Sequence, residues 1–353
     1  MVSSIDSNHT TRFAIVGAGG IAGAYALAFD ETDEATLDAV VDVREDAAKA
    51  LAEPRDARVY SSVDAMLDSA LEVDAVIICT PPNTHEQITV RLLEHGLHVL
   101  CEKPLAIHSS EAEAMAEAAD RTGKLITMAS KFRYVPDVSE AKQLIESGAI
   151  GELILFENSF TSFVDMSERW NSTPEISGGG VLIDNGTHSL DLARFFLGPI
   201  EELQVTEGLR TQDLRVEETV AIQFKSRSGT MGSIDLSWTI TKGLPSYITL
   251  HGSEGCIVLG WQGSKWKRHG EGWNEFGSGF NKVTAFQNQI ENFSRAIHGE
   301  EPLLITIQDG LASVRAIEAA YESMREVPWQ SVLPSTFEPR SAALNANASE
   351  LSS

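Results

Sequence analysis

Phe13-Ala14-Ile15-Val16-Gly17-Ala18-Gly19-Gly20-Ile21-Ala22 is the stretch on which the reading of the fold turns. A compact apolar run ends in glycines, and residues 21–29 behind them have the composition of a helix. Gly17 and Gly19 fit the first two positions of the pattern G-x-G-x-x-G/A, and Ala22 fits the third. The first glycine permits a tight turn, the second lets backbone approach a pyrophosphate, and a small third residue lets helix and strand pack closely. Gly20 and Ile21 open the helix, whose first N–H groups and partial positive charge suit phosphate oxygens.

A glycine turn alone is a weak signal, and Asp42 strengthens it. It stands twenty positions after Ala22, in a second strand-like run at 37–43. A carboxylate there accepts hydrogen bonds from ribose hydroxyls and repels a 2′-phosphate, which favours NAD. Arg44 leaves NADP open, since a guanidinium pairs well with phosphate.

Outward from this turn the same rhythm continues. Helical stretches at 46–52, 86–95 and 110–119 alternate with strand-like runs at 74–79, 98–101 and 124–129. Pro81 and Pro82 stop one run, and Ser109 or Ser110 suits the N-cap of the third helix. This alternation predicts an α/β class: a doubly wound parallel sheet over residues 11–133. Beyond Arg133 the rhythm changes. A helix at 138–147 leads into strand-like segments at 153–160, 218–224, 230–238, 247–251 and 256–259, with helices at 184–197, 284–297 and 309–324. A second, α+β domain with a mostly antiparallel sheet is predicted over 134–332, and 1–10 and 333–353 read as tails.

Composition narrows the class. Hydrophobic residues make up 42% of the 353, enough for two globular cores. With 27 Lys and Arg against 51 Asp and Glu, the net charge is −24, which argues against a nucleic-acid surface. The acidity fits either adaptation to high salt or simply an acidic protein. No apolar run nears the ~20 residues of a membrane span, and the polar N-terminus does not resemble a secretory signal, so a cytoplasmic location is expected. Cys79, Cys101 and Cys256 form no metal-ligand pattern; Cys79 and Cys101 are expected as buried thiols.

Two further motifs carry chemistry. Cys101-Glu102-Lys103-Pro104 follows a strand, and Gly178-Gly179-Gly180-Val181-Leu182-Ile183-Asp184-Asn185-Gly186-Thr187-His188 runs on to Asp191. Together with the glycine turn, Thr80-Pro81-Pro82-Asn83-Thr84-His85 and Gly148-Ala149-Ile150-Gly151, they make the chain resemble the Gfo/Idh/MocA oxidoreductases, the glucose–fructose oxidoreductase and inositol dehydrogenase type. The resemblance runs from about Arg12 to Val332. It implies a Rossmann domain followed by a large open sheet that often forms homodimers or homotetramers. It also implies hydride transfer between a nicotinamide and a sugar or polyol.

Alcohol oxidation needs a base for the hydroxyl proton, and a histidine suits that task. His188 lies four residues after Asp184, on one face of a helix. Asp184 can orient substrate or imidazole, and Lys103 can stabilise the developing negative charge on the reacting oxygen. By resemblance, Lys103, Asp184 and His188 fall on catalytic positions, and no metal is implied. Thr80, Pro81, Asn83, His85, Glu102 and Lys103 are expected near the cofactor; His85 suits a structural role equally. Arg133, Tyr134 and Trp170, with neighbouring Asn171, are candidates for substrate contact, as are Lys103, Asp184 and His188. Asp191 suits either substrate contact or structural support. Trp261, Trp266 and Trp273 suit a surface hairpin or an oligomer contact better than a sugar platform.

Three other functions compete with this reading. One is a glycosidase-like reaction with recycled NAD, another a reductase of a linear tetrapyrrole, and the third a non-catalytic NAD-binding regulator. Intact Lys103, Asp184 and His188 weigh against the last two. Substrate choice is expected to lie in loops such as 162–177 and 261–280.

Overall fold

The computed structural model describes residues 10–326. The expected tails fall outside these residues, apart from Thr10, as do 327–332.

The first layer alternates strand and helix: β1 (Thr11–Val16), α1 (Gly20–Phe29), β2 (Ala35–Val41), α2 (Glu45–Ala52), β3 (Arg58–Tyr60), α3 (Val63–Leu67), β4 (Ala75–Ile78), α4 (His85–Glu94), β5 (His98–Glu102), α5 (Ser109–Thr122) and β6 (Ile126–Ala129). The six strands are parallel, in the order β3-β2-β1-β4-β5-β6. The order reverses between β1 and β4, which opens a crevice at their carboxyl ends. Strand β1 shows why the sheet is buried on both sides. Phe13 and Ile15 enter one core, whereas Ala14 and Val16 enter the other, as a period of two dictates. Helix α5 begins one residue before the expected Ser109/Ser110 N-cap would allow. Glu111 reaches back and accepts the N–H groups of Ile107 and His108, both at 3.0 Å.

The second layer starts with α6 (Pro136–Glu146), β7 (Leu153–Thr161), α7 (Pro174–Ser177) and α8 (Val181–Leu197). Then follow β8 (Ile200–Glu207), β9 (Thr219–Ser226), β10 (Met231–Ser237), β11 (Ser246–Gly252), β12 (Gly255–Gly260), β13 (Ser264–Arg268) and β14 (Asn274–Phe276). Its eight-stranded sheet runs β14-β13-β12-β11-β7-β10-β9-β8 and is antiparallel except where β7 meets β10. One face packs on α8 through Phe156, Ile222, Ile234 and Leu236. The other face carries Glu157, Gln223, Asp235 and His251, alternating with the buried set. Trp266 lies on β13 of the terminal hairpin with β14, and Trp273 lies in the turn between those strands. Trp261 packs on Tyr247 with ring centroids 4.8 Å apart.

The last two helices, α9 (Lys282–Ile297) and α10 (Ile307–Glu326), return to the first layer. Phe286, Ile290 and Phe293 of α9 complete the core that holds Phe13, Ile15 and Tyr25. Ile305, just before α10, and Val314 within it enter the core on the opposite face. Residues assigned by sequence to the second domain thus finish the first. Cys79 and Cys101 are buried thiols, and burial pushes both upward in pKa. No helix among the described residues is long and apolar enough to cross a membrane.

Phe293 is fully buried between α9 and the Rossmann sheet, with its ring 6.2 Å from that of Phe13. Phe293→Ala is expected to cost about 3–5 kcal/mol, read as a lower urea midpoint. A loss under about 1 kcal/mol would show that α9 is not part of the core.

Candidate active site

The carboxyl ends of β1, β4, β5 and β6 deliver the glycine turn, Thr80, Glu102 with Lys103, and Lys131 to one edge of the sheet. Across from them, α8 supplies Asp184 and His188. Between lies a cleft of about 460 Å³, lined among others by Gly20, Ile21, Thr80, Lys103, Trp170 and Asp184.

Gly17 has φ +96°, and a Cβ there would sit 2.8 Å from the Cys79 carbonyl carbon. The turn therefore requires glycine sterically as well as conformationally. At Gly19 and Gly20 an added Cβ would meet nothing within 4 Å, so backbone at the start of α1 is open to an approaching group. Ala22 is buried beneath the helix. Asp42 accepts the Ala18 N–H at 2.6 Å and the Arg44 N–H at 2.8 Å, and Arg44 Nε lies 3.3 Å from it. Burial disfavours its charge, but the Arg44 and Ala18 N–H bonds and the guanidinium outweigh that, holding the carboxyl below the ordinary range. These features fit a dinucleotide: open N–H groups for the pyrophosphate and an ionised carboxylate for the ribose.

The Lys103 ammonium donates to the Asp184 carboxylate and, at 3.0 Å, to the Asp184 carbonyl oxygen. Both side chains are largely shielded, 15% and 23% exposed. Asp184 and His188 share a helix face but do not bond one another. His188 instead meets Lys131, with Nζ 2.9 Å from Nε2. Burial first, then the charges of Lys131 and Lys103, push the imidazole well below its ordinary pKa, so it is neutral at neutral pH. An ammonium donates, so Nε2 carries the lone pair and the proton resides on Nδ1, which has no partner among the described residues. Lys131 is pushed down to about 7 by burial and by Lys103 and Lys282, against the pull of Glu102 and Asp184.

The run Gly178-Gly179-Gly180 sets where α8 begins. A Cβ on Gly180 would lie 2.1 Å from the Glu217 carbonyl oxygen. The Glu217 carboxylate accepts the N–H groups of Gly180 (2.9 Å) and Leu182 (3.1 Å), along with the Tyr321 hydroxyl (2.7 Å). Three glycines thus let α8 start against a buried carboxylate, which fixes the height of Asp184 and His188.

Several expected contacts are not in the cleft. Arg133 is 4% exposed and forks onto Asp191 at 2.9 and 2.5 Å, and neither residue lines the cleft. Tyr134 is buried, with its hydroxyl donating to Asn292 at 3.1 Å. His85 is buried with its nitrogens 2.9 Å from the carbonyls of Pro104 and Thr80, which ties the turn after β4 to the turn after β5. From that turn the wall takes Thr80 and Pro82, whereas Asn83 is exposed and Pro81 only adjoins it. Glu102 does reach the wall; it accepts from Tyr25 Oη at 2.8 Å and the Lys103 N–H at 3.2 Å. Burial pushes its carboxyl up against the pull of Lys131 and Lys103. Trp170 and Asn171 line the cleft, together with Arg169 from the same loop and Lys282 at the start of α9. Sequence reasoning missed Lys131, Arg169 and Lys282. Lys131 had a signal, following β6 as Lys103 follows β5, and Arg169 lies in the 162–177 loop expected to set substrate choice.

The sequence matches two family models: an oxidoreductase family with an NAD-binding Rossmann fold over residues 11–130, and the Gfo/Idh/MocA C-terminal domain over 138–258. The chain belongs to the Gfo/Idh/MocA oxidoreductase family. It is 29% identical over 333 residues to inositol 2-dehydrogenase of Rhizobium meliloti (strain 1021), covering 90% of this chain and 98% of that one. Against D-glucoside 3-dehydrogenase of Escherichia coli (strain K12) the identity is 34% over 191 residues, 53% of this chain and 54% of the relative. The crystal structure of GenD2 from gentamicin A biosynthesis, in complex with NAD, superposes with a TM-score of 0.79 at 26% identity, covering 90% of this chain and 96% of that one.

Asp42 and two depressed imidazoles, His98 and His188, each set a measurable expectation. Asp42 repels a 2′-phosphate, so the KM for NADP is expected to exceed that for NAD by roughly tenfold or more, with Asp42→Ala narrowing the gap; a wild-type preference for NADP would contradict this. Burial and Lys124 hold His98 at about 4, and His188 is also depressed. The unfolded chain takes up these protons near 6.5 while the folded protein refuses them, so stability declines as pH falls from about 6.5 toward 4. Urea midpoints across that range are expected to drop, less steeply in His98→Gln; a flat profile would exclude the effect.

Proposed function

We propose that this protein oxidises, reversibly, a secondary alcohol of a sugar or polyol with NAD as its redox partner. The observation that carries the reading is the Lys103–Asp184 ion pair on the wall of a cleft that opens onto the glycine turn, with a neutral His188 buried one turn further along α8. The names of the related inositol and glucoside dehydrogenases support the substrate class.

Gly17, Gly19, Gly20, Ile21 and Ala22 would hold the pyrophosphate and Asp42 the ribose, while Thr80 and Glu102 would border the remainder. When bound, NAD supplies an acceptor for the hydride that leaves the alcohol carbon. Lys103 donates a hydrogen bond to the alcohol oxygen and stabilises the negative charge that grows there. Asp184 fixes the Lys103 ammonium and accepts from a neighbouring hydroxyl. His188 takes the hydroxyl proton on Nε2, the nitrogen now facing Lys131; substrate entry exchanges that contact for the hydroxyl. A neutral imidazole is the form such a base requires. The reading extends to a cytoplasmic enzyme that forms a homodimer or homotetramer through the open face of the eight-stranded sheet, which light scattering tests.

Appearance of reduced cofactor absorbance with a panel of aldoses, inositols and sugar acids tests the activity. On the best substrate, His188→Ala is expected to lower kcat about 10²–10⁴-fold and Lys103→Met about 10²–10³-fold. The acid limb of the wild-type profile is expected below pH 6.5, in line with the depressed imidazole. Near-normal turnover in either variant would remove that residue from the chemistry.

A further inference from the structure

Cations gather in this cleft although the chain has few. Lys and Arg number 27 against 51 Asp and Glu, yet Lys103, Arg169 and Lys282 all line the cleft. Lys131 lies close enough for its ammonium to feel Lys103, Lys282, Glu102 and Asp184. Lys103 is neutralised by Asp184. Among the described residues, Lys131, Arg169 and Lys282 make no ion pair. The hydrogen-bond partner of Lys131 is a neutral imidazole, and Lys282 lies 5.9 Å from the Phe286 ring centroid. Glu102 attracts Lys131 and Lys103, and it accepts hydrogen bonds from Tyr25 and the Lys103 N–H. Arg169 and Lys282 stand exposed on the cleft wall without an ion pair, so the cleft offers positive charge against the sign of the whole molecule.

We propose that the substrate carries an oxyanion, a carboxylate or phosphate, beside the alcohol that is oxidised, and that Lys131, Arg169 and Lys282 hold it. The inference rests on reading the cleft as the site of alcohol oxidation. A ligand oxyanion supplies what the cleft lacks: acceptors for several ammonium and guanidinium donors at once. It also gives Lys131 a charged partner when the substrate hydroxyl takes its place on His188. Burial and Lys103 press this ammonium toward neutrality, and an adjacent anion reverses that. The same cations could instead serve the cofactor's pyrophosphate, so the test separates the two.

Initial rates with NAD are measured on matched sets: a neutral hexose or polyol, its aldonic or uronic acid, and its 6-phosphate. One anionic member is expected to exceed its neutral parent at least ~10-fold in kcat/KM, because hydrogen bonds to charged groups are worth about that factor or more. Lys282→Met and Arg169→Met are each expected to shrink that preference roughly tenfold, through the KM of the anion and not that of NAD. Whichever anion prevails, acid or phosphate, identifies the oxyanion. Calorimetric titration of the same compounds into the enzyme with NADH bound reads affinity without turnover, and the anion is expected to bind more tightly. Turnover and binding of neutral parents in preference to both anions would overturn this inference while leaving the proposed activity intact. Variants that raise the KM for NAD without changing the anion preference would assign the cations to the pyrophosphate. If no compound is oxidised and none binds, the proposed activity falls and the inference with it.

Discussion

The contact between Lys103 and Asp184 joins the end of β5 to the first turn of α8, and the rest of the site is arranged around it. One ammonium holds both the carboxylate and the backbone carbonyl of a single residue, so it fixes where the helix lies as well as where the charge lies. With both partners largely shielded from water, either one alone would be an uncompensated charge in a low-dielectric cleft. The pair also links two layers that meet again where α9 and α10 pack on the Rossmann sheet. Helix α9 places Lys282 at the cleft and packs Phe286 against Tyr25, whose hydroxyl donates to Glu102. The architecture of the second domain and the floor of the cofactor crevice are therefore parts of one packing problem.

Around that pair, burial divides the ionisable groups by sign. His188 loses its proton and Lys131 is drawn toward neutrality, because each sits among cations and away from water. Glu102 moves the other way for the same reason, burial disfavouring its charged form. The result is a histidine held neutral beside an ammonium whose pKa is drawn down to about 7. Asp42 shows the contrast. It too is penalised by burial, but N–H donors at both oxygens keep it ionised, as recognition of a ribose requires.

Much of the first layer was legible in the sequence because a buried parallel strand writes itself as an unbroken apolar run, as residues 13–16 and 75–78 do. Strand β3 has three residues, and α3 five, too few for a period to show. Strand β8 carries Glu201, Glu202 and Glu207 and reads as loop, yet nearly its whole length pairs with β9. At the site, Lys103, Asp184 and His188 were legible because each belongs to a compact motif. Arg133 and Tyr134 suit substrate contact by sequence because they lie at the domain junction. Lys131, two residues earlier, is the one whose side chain turns to the site; Arg133 turns to Asp191, a partner 58 positions away that no local pattern announces. Lys282 was invisible for the same reason, since its neighbourhood exists only once α9 has docked, whereas Arg169 lies within the 162–177 loop with nothing in the sequence to single it out.

The charge of the chain sharpens what these contacts must accomplish. At −24 the molecule repels an anionic dinucleotide from a distance, but in physiological salt that field fades over about 8–10 Å. Capture therefore depends on groups that act at contact range: the open backbone around Gly19 and Gly20, the first N–H groups of α1, and the cations of the cleft. An acidic surface with a locally cationic crevice admits an anion only where the crevice supplies the matching donors. Selectivity in such a protein is settled inside the cleft, by the geometry that the Lys103–Asp184 contact holds in place.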